Sequence, residues 1–587
     1  MTRPRHPFLL RLLLTAGLVS ILATTAFAHG GGGSLDTPAD AQVVKVHVTD
    51  TEIITELRKQ FDVWGIDRND TDRRDDDSVI LLTDTAGIQD LRDRGLVVEN
   101  DVVRNAELVT LGRMIEGQTR GVPGLPCYRT VEETFADLAQ LATDHPTLAR
   151  WIDIGDTWEK INAPAPGYDI FALVLGNQNT PGPKAQYVIQ AAMHAREMAT
   201  AELATRFAEQ LLADYGTDPD ATWILDHTNV HIVPQLNPDG RKEAEDGQFW
   251  RKNKNNDFCS NSDNRGIDLN RNSSTLWGGS GSSGSSCNET FRGPSAGSEP
   301  ETQAIEAYLD QVFDDQRGPG MNDPAPANTT GLFISIHSFS ELVLYPWEAT
   351  FTNAPNSTGL QTLGRKFGFF TDYGVCQDCL GVAAGTTPDQ AYGVYGVAAY
   401  TFEIGTTFFQ SCTSFENTIL PDNLPALLYG AKAARRPYET PSGPEVINVD
   451  IPTLSDLPVV TVTRGSSVTV NATADDTRFD SNGNGNEPVQ PISAAYVTID
   501  EAPWQTGDWT PMNAVDGTFN QNVEDVTVEL DTGGLTVGRH LIYVFAEDSS
   551  GAVGVPSAIF LDIVGPGTIF ADSFESGDTS LWSLTVQ

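Results

Sequence analysis

Three short apolar runs constrain this chain more than any other feature. Residues 187–192, 331–336 and 398–402 are each bounded by turn residues and followed, directly or within two residues, by a histidine or a glutamate. Runs of this length, set among longer helix-like stretches, read as strands buried on both faces of an α/β sheet. In such a sheet the ligand crevice lies off the carboxyl ends of the strands. His194, His337 and Glu403 stand off those ends. Alone, each has a bland reading. A histidine after a strand is more often a satisfied structural residue, and an H-x-x-E quartet is usually a turn. A carboxylate after an apolar strand is costly unless paired or functional. Their shared placement is what points to a site. His194-Ala195-Arg196-Glu197 opens the helical run 199–215, so His194 and Glu197 can face one metal ion. A catalytic zinc ion takes three N or O ligands and keeps a fourth position open.

At 587 residues the chain is expected to hold several domains. Arg3, Arg5 and Arg11 flank the apolar stretch 8–25, and Ala26-Phe27-Ala28 fits a cleavage site, so residues 1–28 read as a signal peptide of a secreted protein. Residues 29–115 read as a small α+β domain with a linker: strands over 43–48 and 78–82, helices over 50–61 and 86–95. The stretch 104–126, with Arg113 and Arg120, reads as that linker. Residues 120–437 form the α/β domain, with Asn237-Pro238-Asp239-Gly240 as a turn signal. Residues 443–566 carry six β-rich runs, for which an immunoglobulin-like sandwich is the default. Residues 567–587 are a short acidic, aromatic tail.

The net charge of −42 makes nucleic acid and anionic membrane poor partners. No segment after the signal is long and apolar enough to span a bilayer. Nothing in the sequence sets an oligomeric state. The six cysteines favour disulfides in an exported chain, and Cys376-Gln-Asp-Cys379 reads as structural rather than redox-active. The acidic stretch 480–487 starts like a Ca2+ loop but lacks the distal glutamate, so a solvated turn is the expectation and Ca2+ the weaker alternative.

Taken in order, His194-x-x-Glu197, Asn237-Pro238-Asp239-Gly240, Trp250-Arg251-Lys252-Asn253, Gly266-Ile267-Asp268-Leu269-Asn270-Arg271-Asn272, Ser298-Glu299-Pro300-Glu301, His337-Ser338 and Thr401-Phe402-Glu403 resemble the zinc metallocarboxypeptidases of the carboxypeptidase A type, the funnelin fold. The resemblance covers roughly 125–437. It implies a mixed sheet flanked by helices and one Zn2+ held by His194, Glu197 and His337. It implies Glu403 as general base and proton shuttle, and Arg251 as the donor that steadies the scissile carbonyl. Asn270 and Arg271 match the pair that grips a free C-terminal carboxylate. Arg196, Ser338 and Phe339 match further substrate subsites, and Asp268 matches the carboxylate that orients the first histidine. A Cys259–Cys287 disulfide is implied, and the first region is similar to an activation segment of a zymogen. The implied substrates are peptides or proteins with a free C-terminus.

The chain departs from that pattern in places. Residues 380–385 lack the tyrosine that covers the substrate in similar enzymes, leaving Tyr373, Tyr392 or nothing in its place. Phe339 stands where a tyrosine is common. Side-chain preference falls to Pro388 or Asp389, which imply an apolar or a basic C-terminal residue respectively. Two other readings remain: a peptidase of this fold acting on cell-wall peptides, and a secreted binding protein on an inactive scaffold. The complete ligand set and Glu403 argue against the latter.

Overall fold

The computed structural model describes residues 41–48, 51–67, 78–108, 118–162, 166–260, 264–452, 460–480 and 485–566. The expected signal peptide, Arg113 and the tail lie outside these residues. Among the described residues, no helix is long and apolar enough to cross a membrane.

An eight-stranded mixed sheet forms the centre. Its spatial order is Gly374–Cys376, Leu342–Leu344, Ala398–Glu403, Leu332–His337, Ala185–Gln190, Thr228–Val233, Asp169–Leu175 and Ala149–Asp156. The three expected strands are neighbours. Leu332–His337 pairs in parallel with Ala398–Glu403 on one side and Ala185–Gln190 on the other. All six residues of Leu332–His337 are buried, as a strand covered on both faces requires.

Helices Val131–Asp144, Met198–Asp214, Pro300–Val312, Ser357–Thr371 and Leu420–Ala433 pack around this sheet. The first begins with a reciprocal cap. Thr130 Oγ1 accepts from Glu133 N (3.2 Å), and Glu133 Oε2 accepts from Thr130 N (3.0 Å). The expected turn at Asn237 is instead a helix start. Asn237 Oδ1 accepts from Gly240 N at 3.0 Å and caps Pro238–Glu245.

Ahead of this unit, a four-stranded antiparallel sheet has the order Asp62–Asp67, Ser78–Thr83, Gln42–His47, Val98–Asn100. The helix expected over 50–61 stops early, at Thr51–Leu57. Residues 62–67 become a strand because they find a ladder partner in Ser78–Thr83, which local periodicity does not reveal. Val102–Leu108, which runs into the expected linker at residue 104, is a helix. Asp101 accepts from Arg104 N (3.1 Å) and pairs with Arg104 Nη1 (2.5 Å).

The strands described between residues 445 and 564 form a four-stranded and a five-stranded sheet around one apolar core that includes Val470, Val497, Val526 and Val544. The Ca2+ alternative finds no support here. Residues 481–484 lie outside the described residues. Glu487 is engaged with Arg365 (2.5 Å) and Thr362 Oγ1 (2.7 Å).

The disulfides are Cys127–Cys412, Cys259–Cys287 and Cys376–Cys379, which include the implied pair. Cys127–Cys412 closes a separation of 285 residues around the sheet. Long closures constrain the unfolded chain most. Replacing both cysteines with serine should cost about 2–5 kcal/mol, read as a lower urea midpoint for this unit. An unchanged midpoint would remove the bond from the stabilising set.

Candidate active site

The three parallel strands deliver the site. The pairing places Glu403 directly beside His337. His194 and Glu197 follow Ala185–Gln190 in the turn that opens Met198–Asp214, with Glu197 at the helix N-cap. Ligand atoms of His194, Glu197 and His337 lie within 4.8 Å of one another, and all three side chains are buried.

The donor set fits a metal ion. Asp268 Oδ1 lies 3.0 Å from His194 Nε2. A carboxylate only accepts, so the proton sits on Nε2 and Nδ1 presents a lone pair. That Nδ1 faces Glu197 Oε1 at 2.7 Å and His337 Nδ1 at 3.1 Å, while Glu197 Oε2 faces His337 Nδ1 at 3.1 Å. Lone pairs that can converge this closely in a buried pocket suit a metal cation among them. The second histidine is also held: Ser335 Oγ lies 2.9 Å from His337 Nε2 and accepts from Gln190 Nε2 (3.1 Å).

Electrostatics follow from burial and neighbours. Burial alone would raise Glu197, but His194 and His337 hold it well below the usual carboxylate range. Burial, with Glu197 nearby, pushes Glu403 up to about 8. Asp268 resists the same pressure because Arg251, Arg271 and His194 surround it, and it stays well below its usual value.

Asp268 also fixes Arg251, whose Nε and Nη2 donate to Oδ2 at 3.2 and 2.9 Å. Its Oδ1 accepts from Asn270 N (3.1 Å), starting the tight turn Leu269–Arg271. Arg271 is oriented by donating from Nε to Gly281 O (2.8 Å) and from Nη1 to Asn270 O (2.6 Å). Gly385, at φ +81°, packs against this turn; a Cβ there would lie 2.5 Å from Arg271 O.

One cavity collects His194, Glu197, Arg251, Asn270, Arg271, Ser338 and Glu403. The N-terminal segment forms part of its wall through Arg58, Phe61, Asp62, Val63 and Trp64. Two expected subsite residues are not there. Arg196 is buried and paired twice with Asp62, both contacts at 2.9 Å. Phe339 is fully buried against Phe408 and beneath the Arg104 guanidinium, so its ring serves the packing of the N-terminal segment and does not reach the cavity. Neither tyrosine substitute reaches it. Tyr373 O–H accepts from Gly405 N and Asn423 Nδ2, and Tyr392 O–H donates to Asn356 Oδ1. Neither Pro388 nor Asp389 lines the cavity, whereas Thr401 of the Thr401-Phe402-Glu403 motif does, as do Glu348 and Gln377, which no motif marked.

Residues 134–423 match the family model described as "Zinc carboxypeptidase". This segment belongs to the zinc carboxypeptidase family. Carboxypeptidase A1 of Rattus norvegicus is 29% identical over 306 residues, 50% of this chain and 66% of that protein. Carboxypeptidase A1 of Bos taurus is 30% identical over 291 residues, 48% and 63% of the two chains. The match thus spans just under two thirds of these relatives' length. The carboxypeptidase A structure from Helicoverpa armigera shares the fold, with a TM-score of 0.55 at 23% identity, covering 68% of this chain and 98% of that one. Thrombin activatable fibrinolysis inhibitor shares it as well, with a TM-score of 0.52 at 19% identity, covering 67% and 98%.

Within this carboxypeptidase fold, Asp268 orients the first histidine and carries no ligand role of its own. Removing such a partner typically weakens metal affinity by 10–100-fold. Asp268→Ala should therefore lower zinc affinity by about that factor in a chelator competition. Unaltered affinity would mean that His194 is oriented by something else.

Proposed function

We propose that this chain is a secreted, zinc-dependent carboxypeptidase that removes C-terminal residues from peptides or proteins. The observation that supports it most is the meeting, in one cavity, of His194 and Glu197, two members of the cluster that His337 completes, with Glu403 and with a buried, oriented Arg271. An exopeptidase must read a free carboxylate, and a fixed guanidinium plane matches that group bidentately.

His194, Glu197 and His337 would hold the Zn2+. When bound, zinc acidifies water and polarises a carbonyl. Glu403 takes the proton from the attacking water and passes it to the leaving amine, a role suited to a carboxyl that burial has moved close to neutral pH. Arg251, held by Asp268, donates to the scissile carbonyl oxygen as charge develops there. Asn270 and Arg271 bind the substrate's terminal carboxylate, and Ser338 Oγ, buried without a partner among the described residues, faces the same cavity.

The segment 29–115 acts as a propeptide in this reading. It contributes Arg58, Asp62 and Trp64 to the cavity wall, and Asp62 occupies Arg196. Trp64 stacks on Phe249, with ring centroids 5.0 Å apart, and Ile66 N donates to Ser340 Oγ (2.9 Å). Export through residues 1–28 fits the three disulfides, and residues 443–566 form an immunoglobulin-like sandwich appended to the enzyme.

Two variants test the roles. Glu403→Gln should keep zinc and lower kcat by about 10²-fold or more; near-normal turnover would remove Glu403 as the base. Arg271→Ala should abolish the preference for free over amidated C-termini, with kcat/KM on free peptides falling by about tenfold to a hundredfold. Mass spectrometry of matched free and amidated peptides reads both. Internal cuts, or equal loss from the two peptide sets, would refute the carboxypeptidase.

A further inference from the structure

Glu348, Gln377 and Thr401 line the same cavity as Arg271. Glu348 is only 6% exposed. Its carboxylate accepts from Thr401 Oγ1 at 2.6 Å and from the Thr386 hydroxyl. Two hydroxyl donors leave lone pairs unused on a carboxylate, and no ion pair reaches Glu348 among the described residues. A buried carboxylate without a cation is expensive to keep.

The peptide that carries Glu348 is rigidly held. Asp389, fully buried and outside the cavity lining, accepts from Glu348 N (2.9 Å) and Ala349 N (3.0 Å). Asp389 therefore fixes the backbone that carries Glu348, while burial and the nearby Glu348 push its own carboxyl well above the usual range.

Gln377 supplies an independent signal. Its Nε2 donates to the carbonyls of Trp347, Thr350 and Thr352, each at 2.9 Å. Flipping the amide would set an oxygen against three carbonyls, so its orientation is determined. The opposite atom, Oε1, is buried without a hydrogen-bond partner, and Gln377 as a whole is 5% exposed. The cavity wall thus includes a carboxylate and an amide whose oxygen lacks a hydrogen-bond partner, with no ion pair to either among the described residues. The matching ligand group is a cation with several N–H donors.

We propose that Glu348, with Gln377, forms the side-chain pocket that selects lysine or arginine at the substrate's C-terminus, with Asp389 as a positioning residue. This rests on the carboxypeptidase reading of the site. Arg271 takes the terminal carboxylate, and the cationic side chain of the same residue meets Glu348 and Gln377. Burial pushes the Glu348 carboxyl above its usual range, and an arriving cation offsets that penalty.

The test uses the zinc-loaded full chain, processed by a serine protease that is then inactivated, on blocked dipeptides differing only in C-terminal Arg, Lys, Leu or Glu. Arginine or lysine should exceed leucine in kcat/KM by about tenfold or more. Glu348→Gln should collapse that ratio, and Glu348→Asp should preserve its direction. A ratio of two substrates on one preparation is insensitive to partial misfolding. Leucine cleaved as well as arginine, or a ratio unmoved in Glu348→Gln, overturns the basic pocket and leaves the carboxypeptidase standing. If no dipeptide is shortened, the carboxypeptidase reading fails, and calorimetric binding of arginine against norleucine decides the pocket. Tighter arginine binding that is lost in Glu348→Gln upholds it, and equal binding overturns it.

Discussion

The carboxylate of Asp268 is the contact on which the site depends. One oxygen meets His194 Nε2 and the backbone N–H of Asn270; the other meets two nitrogens of Arg251. A single buried anion thus sets the tautomer of the first imidazole, the plane of one guanidinium and the start of the turn that carries Asn270 and Arg271. An isolated charge at zero exposure would be prohibitive. Here the surrounding cations offset the burial so well that Asp268 is held far below its usual pKa. The metal cluster, the carbonyl donor and the carboxylate clamp are therefore one network in which no member can shift alone.

Around this network the cavity gathers three arginines among its carboxylates. Arg251 and Arg271 face it, and Arg58 from the N-terminal segment joins them, with burial and the two other arginines drawing it down to about 9. Such a cavity has room for a substrate carboxylate. The opposing feature is the Glu348–Gln377 wall, which offers only acceptors. A ligand with a carboxylate at one point and a cation at another satisfies both ends, and a C-terminal lysine or arginine is such a ligand.

The legible part of the site followed from position. His194, His337 and Glu403 could be found because strands that are apolar throughout leave polar residues conspicuous at their ends. Asp268, Asn270 and Arg271 were legible as a motif. Phe339 was misread because a residue two beyond a ligand can face either the cavity or the packing beneath it, and only the docking of Arg104 and Phe408 decides which. Glu348 carried no signal beyond a carboxylate after Tyr345-Pro346-Trp347. Its meaning arises from Thr401, Asp389 and Gln377, which come from distant parts of the chain. The strand Asp62–Asp67 was missed for a related reason: its ladder partner, not its own periodicity, makes it a strand.

By itself the sequence determined the three buried strands and the residue types at their ends, because apolar runs and turn residues are local properties. It also marked the cysteines, without pairing Cys127 with Cys412, since a closure of 285 residues leaves no local trace. The tertiary structure decided what each polar side chain faces. It put Glu403 beside His337, turned Arg196 onto Asp62, buried Phe339 and brought Glu348 and Gln377 to the cavity wall. The physical reason is that orientation and charge compensation are set by neighbours in space, and those neighbours lie tens to hundreds of residues away along the chain.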